Sequence, residues 1–277
     1  RFVFDADNNA VWRVIQDGYV GISQLDFQWT WNDAGNAVYA TYIDYDQYGT
    51  NPWTTLTNTY SAPGVLDQQM VYYDAGQPLH SLFNDFDQAG NQAWSTYSTY
   101  YSAANIPNYL WLYFDVGLPN HSQFTDWDQA DTVAWDSQIK TYSATNVLNY
   151  QWTYYDVGEI YYANFIDYDQ AAAVNWSYRV TNYSAVNVAD NRWTYYDAGQ
   201  PFYAELTDWD QAGNQTWAYT STLYSAVNVL DYRWTYYDAG QPYHSTLIDW
   251  DQANAQPWAY HVINFSAPGV VANDYYV

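Results

Sequence analysis

Trp234-Thr235-Tyr236-Tyr237-Asp238-Ala239-Gly240-Gln241-Pro242 decides the fold of this chain, because it reads as a strand running into a tight turn and recurs in some version along the whole sequence. The turn aspartate sits at Asp33, Asp74, Asp115, Asp156, Asp197 and Asp238, a constant 41-residue step. The glycine two positions on, at Gly35, Gly76, Gly117, Gly158, Gly199 and Gly240, supplies the positive φ that such a turn needs. Working outward, His244 to Asp251 is a second aromatic and β-branched run and Trp258 to Phe265 a third. A turn around Gln252 to Pro257 separates them, and Ser266-Ala267-Pro268-Gly269 makes the next reversal. The sequence thus predicts three strands per repeat, with room for a short fourth before the next tryptophan.

Other markers keep the same step. Asp-aromatic-Asp-Gln begins at Asp44, Asp85, Asp126, Asp167, Asp208 and Asp249, and a tryptophan follows at Trp53, Trp94, Trp135, Trp176, Trp217 and Trp258. A strict period without insertions means that each copy meets the next in the same way. The expected organisation is one all-β array of tandem 41-residue antiparallel repeats over residues 1–277, extended or spiralling. Full repeats fall at 29–69, 70–110, 111–151, 152–192, 193–233 and 234–274, with 1–28 a partial repeat and 275–277 the start of another. Such ends imply processing or a longer parent. A seven-bladed β-propeller is the alternative, since blades of about 40–45 residues are a known repeat class. An outer-membrane barrel would want aromatic girdles at two heights, whereas aromatics occupy nearly every phase here.

Composition narrows the function. Acidic residues outnumber Lys plus Arg by 30 to 6, and the net charge of −24 makes nucleic acid and anionic membrane surfaces poor partners, so no nucleic-acid partner is expected. Cations are the natural company. There is no cysteine, so neither a disulfide nor a thiolate site exists, and no apolar run is long enough for a transmembrane helix. Aromatics make up 22% of the chain and fall on both faces of its strands. In the third run Trp258, Tyr260 and Val262 take one side, while Ala259, His261, Ile263 and Phe265 take the other. Such a sheet must be covered twice or leave aromatic surface open to a partner.

Asp249-Trp-Asp-Gln-Ala-Asn-Ala-Gln-Pro-Trp258 resembles the Asp-Tyr-Asp-Gln-Ala-Asn-Ala-Gln-Pro-Trp signature of long alphaproteobacterial repeat proteins, themselves similar to YD-repeat, or Rhs-like, arrays. The resemblance implies an exported or cell-surface array of antiparallel strands. The turns differ from the YD pattern in lacking its arginine.

Three site readings follow. The Asp-aromatic-Asp-Gln carboxylates, Asp85 and Asp87, Asp126 and Asp128, Asp208 and Asp210, Asp249 and Asp251, are candidate calcium ligands. Calcium wants six to eight oxygens, and carboxylates two apart on a strand are about 7 Å from each other, so turn-capping by backbone N–H groups competes with that reading. Trp94, Trp135, Trp176, Trp217 and Trp258 are either core or glycan-stacking platforms. His80, His121 and His244 share a phase with Tyr39, Tyr162 and Tyr203, which selects a flat ring rather than a metal ligand. Equivalent aspartates stacked about 4.8 Å apart would repel by roughly 0.9 kcal/mol per neighbour pair even in bulk water. Three strands per repeat spread them to about 14 Å, where screening leaves little. No catalytic constellation has a fixed spacing. The expectation is a non-enzymatic extracellular structural or adhesive protein that self-associates or belongs to a larger assembly, such as a fibre. A polysaccharide-binding module and a calcium-binding segment are the alternatives.

Overall fold

The computed structural model describes residues 1–5, 10–252 and 256–277. It is all-β, and it divides into two compact parts, residues 1–132 with 141–146 and residues 133–140 with 147–277. The first part holds β1 (Phe2–Phe4), β2 (Trp12–Val20), β3 (Gln24–Asn32), β4 (Ala40–Asp44), β5 (Trp53–Ala62), β6 (Val65–Tyr73), β7 (Ser81–Phe86), β8 (Trp94–Ala103), β9 (Ile106–Phe114) and β10 (Ser122–Trp127). Strand β11 (Trp135–Ala144) contributes to both. The second part holds β12 (Val147–Tyr155), β13 (Ala163–Tyr168), β14 (Trp176–Ala185), β15 (Val188–Tyr196), β16 (Ala204–Trp209), β17 (Trp217–Ala226), β18 (Val229–Tyr237), β19 (Ser245–Trp250), β20 (Tyr260–Ala267) and β21 (Val270–Tyr276). Within each part the described strands form an antiparallel meander in which each touches only its sequence neighbours, so each part is a single-layered sheet. Separate propeller blades do not form, because pairing runs on across repeat boundaries. The 192/193 boundary, for example, falls inside β15.

The turns explain the regularity. In each Asp-x-Gly turn the aspartate carbonyl accepts the N–H three positions on, as Gln200 to Asp197 at 3.2 Å, with Gly199 at φ 93°. The aspartate N–H in turn donates to the residue before the neighbouring strand, Asn175 in the case of Asp197. At the second reversal the left-handed position is Gly64 or Gly269 in two repeats and asparagine in the others, such as Asn187 at φ 60°. Asparagine is the commonest side chain able to sit there without glycine's freedom. Three strands per repeat are therefore confirmed, without a fourth among the described residues. The Gln252 to Pro257 turn lies partly outside the described residues.

Three is an odd number, and this has a consequence for the faces. Equivalent strands in successive repeats run in opposite directions, so the operation that carries one repeat onto the next turns the sheet over. Paired residues in an antiparallel sheet share a face. One row in the second part reads Trp152, Phe165, Thr181, Arg192, Thr207, Ser221, Trp234, Leu247, Ile263 and Asp274. The opposite face reads Gln151, Ile166, Val180, Trp193, Leu206, Thr222, Arg233, Ile248, Val262 and Tyr275. Trp193 is the repeat-equivalent of both Trp152 and Trp234, yet it points to the other side. In the first part Trp29 and Trp111 likewise share a face that Met70 does not. The two faces are thus chemically alike, and each recurs at every second repeat. The absence of a polar side in the sequence is a result of this geometry.

Without a second layer, the core is assembled from rings lying over small residues. Ala40, Ser81, Ser122, Ala163, Ala204 and Ser245 are each 3% exposed or less. Rings in the adjoining strands flank these small residues. Ala204 faces Tyr195 and Tyr224, Ala163 faces Tyr154 and Tyr183, and Ser81 faces Tyr72 and Tyr101. Only a methyl or hydroxymethyl group lets two flanking rings close over it. Met70 takes the central position beside Tyr72, and in the other repeats a tryptophan there ties the cluster together. Trp193 stacks on Tyr195 at 6.0 Å and meets Tyr224 at 5.4 Å, and Trp152 meets Phe165 at 4.5 Å and Tyr183 at 5.4 Å. Such ring pairs contribute about 0.5–1.5 kcal/mol each beyond area burial.

Candidate functional site

The Asp-aromatic-Asp-Gln motif straddles the end of one strand and the turn after it, and its three polar side chains do different things. The second aspartate caps the turn. Asp46 accepts the backbone N–H of Thr50 at 3.2 Å and of Asn51 at 2.9 Å, Asp87 those of Asn91 and Gln92, and Asp210 those of Asn214 and Gln215. Asp128 accepts from Thr132 at 2.7 Å and Asp251 from Gln256 at 2.7 Å. These bonds favour the charged form, and the Asn51 N–H, foremost among them, holds the Asp46 carboxyl below the ordinary aspartate range. The glutamine reaches back across the preceding hairpin. Gln88 donates to the Leu66 carbonyl at 2.8 Å, Gln170 to Leu148 at 2.7 Å and Gln211 to Ala189 at 2.7 Å.

The first aspartate lies on the strand, half-buried, and points onto the sheet. Burial pushes the carboxyls of Asp85, Asp208 and Asp249 above the ordinary range, and the nearby charges of Asp67, Asp190 and Asp231 push them further. Asp126 occupies the same strand position, opposite Tyr109. The two candidate calcium carboxylates of a motif therefore have separate roles, one on the sheet and one in the turn. Among the described residues no group of three or more His, Asp or Glu side chains is placed to hold a metal ion. The acidic pairs were hidden in the sequence because the partner comes from the preceding strand. The signal that could have found them is an aspartate at a fixed offset ahead of the motif, as Asp67 before Asp85, Asp190 before Asp208 and Asp231 before Asp249.

The sequence-selected tryptophans open strands. Trp94, Trp135, Trp176 and Trp217 are the first residues of β8, β11, β14 and β17, and Trp258 precedes β20. Trp176 is buried, with the Arg179 guanidinium 4.5 Å from its ring centroid. Trp94 lies 5.9 Å from Tyr97, and Trp258 lies 5.8 Å from both His261 and Tyr276. Trp135 and Trp217 are half-buried. The ring phase behaves as its composition suggests. His121 and His244 meet Tyr113 and Tyr236 edge-on at 6.2 Å, as Tyr162 and Tyr203 meet Tyr154 and Tyr195.

Sequence reasoning passed over the second tryptophan column, Trp29, Trp111, Trp152, Trp193 and Trp234, which lies mid-strand and anchors the ring clusters. It also missed the Ala/Ser column beneath them. Both columns keep the period of the repeat, the first with Met70 in place of one tryptophan. Carboxylates on the sheet accept from tyrosine hydroxyls, as when Tyr42 donates to Asp44 at 2.9 Å and Tyr196 to Glu205 at 2.8 Å. Burial first, and then the carboxylate partner, pushes each phenol up to about 12.

The fold and these sites define an all-β, aromatic-rich tandem-repeat protein whose polar motif stabilises turns. No family model, curated protein or solved structure matches the chain.

Proposed function

We propose that this chain is a non-enzymatic extracellular structural or adhesive repeat protein. The observation that carries this reading is the equivalence of the repeats. Rings over an Ala/Ser residue recur in repeat after repeat on alternating faces, with Met70 replacing the tryptophan in one of them, and among the described residues no repeat holds a metal-type cluster of titratable groups that the others lack. Catalysis needs one site unlike its surroundings, whereas adhesion or lateral packing gains from many like ones. Aromatic rings left half-open on both faces favour a role in which another surface covers them. Among the described residues no helix is long and apolar enough to cross a membrane.

The test is a pair of measurements on the full chain. Screens against ester, glycan and peptide substrates should give no turnover, and sedimentation with electron microscopy should show association that strengthens as the pH approaches the isoelectric point near 4.1. A turnover abolished by one point substitution, or a monomer under every condition, contradicts the reading.

A further inference from the structure

We propose that the part containing β12 to β21 binds neutral saccharide chains in open grooves with tyrosine walls and an amide floor. This rests on the adhesive reading above and names the partner. On one face Asn164 Nδ2 donates to Asn182 Oδ1 at 2.7 Å, Asn182 Nδ2 to Asn191 Oδ1 at 2.8 Å, and Asn191 Nδ2 to the Tyr161 hydroxyl at 3.0 Å. A related arrangement, with Thr246 in the place of Asn164, returns two repeats on, and so on the same face. There Thr246 Oγ1 donates to Asn264 Oδ1 at 2.6 Å, and Asn273 Nδ2 to the Tyr243 hydroxyl at 2.6 Å. A cavity of about 680 Å³ lies over this second copy, lined by Tyr237, Tyr243, Tyr260 and Tyr275 together with Asn264 and Asn273. The intervening repeat carries the same phases on the opposite face. In that copy Glu205 accepts from Tyr196 at 2.8 Å and from Ser221 at 2.6 Å, and Phe202 meets Tyr232 edge-on at 5.7 Å.

A pyranose ring has an apolar C–H face and a rim of hydroxyls that both donate and accept. Tyrosine rings suit the first, and asparagine amides, which carry two donors and an acceptor oxygen, suit the second. Asn191 Nδ2 also donates to Asp190 at 3.3 Å, and Asn164 and Asn264 are buried, so the ligand meets the exposed edge of the ladder, where the Tyr161 and Tyr243 hydroxyls and the second lone pairs of the amide oxygens stand beside the rings. The groove lies on an open sheet face rather than in a closed pocket, which suits a chain passing across it. The charge of −24 disfavours uronates and sulfated glycans. Same-face grooves are six strands apart, about 29 Å at the usual strand spacing, so one long chain could engage two of them.

The experiment uses the full chain and hexaoses of β-linked glucose, xylose and mannose, followed by tryptophan fluorescence and calorimetry at low and high sodium chloride. At least one hexaose should bind saturably and without salt dependence. Tyr161→Ala and Tyr243→Ala should each weaken binding, and together by about tenfold or more, while Tyr48→Ala, at an exposed ring outside these grooves, leaves it unchanged. Tyr243→Phe keeps the ring and loses the Asn273 bond, so it should retain stacking and fold and lose only part of the affinity. Failure of all three hexaoses to bind, binding untouched by the double variant, or binding confined to anionic polysaccharide overturns the groove while leaving the structural reading in place. Hydrolysis of a hexaose would instead overturn the non-enzymatic reading.

Discussion

Ala204→Leu is the sharpest probe of how this protein is held together. Ala204 is 0% exposed and sits directly between Tyr195 and Tyr224 on one face of the sheet. Three added carbons have nowhere to go except against those rings. Overpacking of this kind costs about 1–3 kcal/mol, and prising Tyr224 from Trp193, now 5.4 Å away, forfeits about 1 kcal/mol more. The expected loss is about 3 kcal/mol, or roughly a hundredfold in local opening equilibrium. Because repeat stability is close to a sum of local and nearest-neighbour contributions, the loss should be local. Amide hydrogen exchange should accelerate in β15 to β17 and leave β3 to β6 unchanged. Ala204→Ser should be nearly neutral, since Ser81, Ser122 and Ser245 fill the same place in other repeats. Uniform acceleration along the chain, or an effect below about 0.5 kcal/mol, would refute the view that rings closing over small residues form the core.

Ala172 sits at φ 48° where other repeats place Gly49, Gly90 and Gly213; a left-handed alanine costs about 1–2 kcal/mol, offset in part by glycine's entropy, so Ala172→Gly should stabilise by about 0.5–1 kcal/mol in urea unfolding. Asp85, Asp167, Asp208, Asp231 and Asp249 all have raised carboxyl pKa values, mainly through burial. In the window between the ordinary aspartate value and the raised ones the folded chain therefore binds more protons than the unfolded one, and stability should rise as pH falls from neutrality into that window. Asp231→Asn should flatten the rise, and a melting temperature that drops steadily over the same range would contradict it. Millimolar calcium should raise the melting temperature only as far as sodium chloride of equal ionic strength does, because the turn carboxylates are engaged by backbone N–H groups. Calorimetric saturation, lost in Asp208→Asn/Asp210→Asn, would show a true site.

Much of this architecture is legible in the residues. The 41-residue step, the Asp-x-Gly turn and the strand runs announce an all-β array with three strands per repeat, and the shared His/Tyr phase announces a packed ring. The face alternation follows from the same count, because three strands reverse direction and an odd number of reversals turns the next repeat over. It escapes a reading that looks for one polar and one apolar side within a single repeat. The Ala/Ser column escapes for a different reason. A small residue has no signal of its own, and its importance depends on the rings opposite it in neighbouring strands. The acidic motif looks like a cation loop because Asp208 and Asp210 stand so close in sequence, while the turn sends one carboxylate to the backbone and leaves the other on the sheet beside Asp190. Pairing between strands, which spacing alone does not encode, decides each of these.

The alternation of faces is tested most directly by oxidative cross-linking, since the chain contains no cysteine of its own. Opposed residues in adjacent strands lie about 4.5–5.5 Å apart at Cα, within the reach of a disulfide. Double-cysteine variants at Arg192 and Thr207, Thr207 and Ser221, and Ser221 and Trp234 should each cross-link, because each pair stands directly opposite in β15 to β18. That row puts Arg192 on the face of Trp234, and therefore Trp193 on the other face. If cysteine at Ser221 bridges to position 233 in preference to 234, successive repeats present the same side, and the two-faced array described here is wrong.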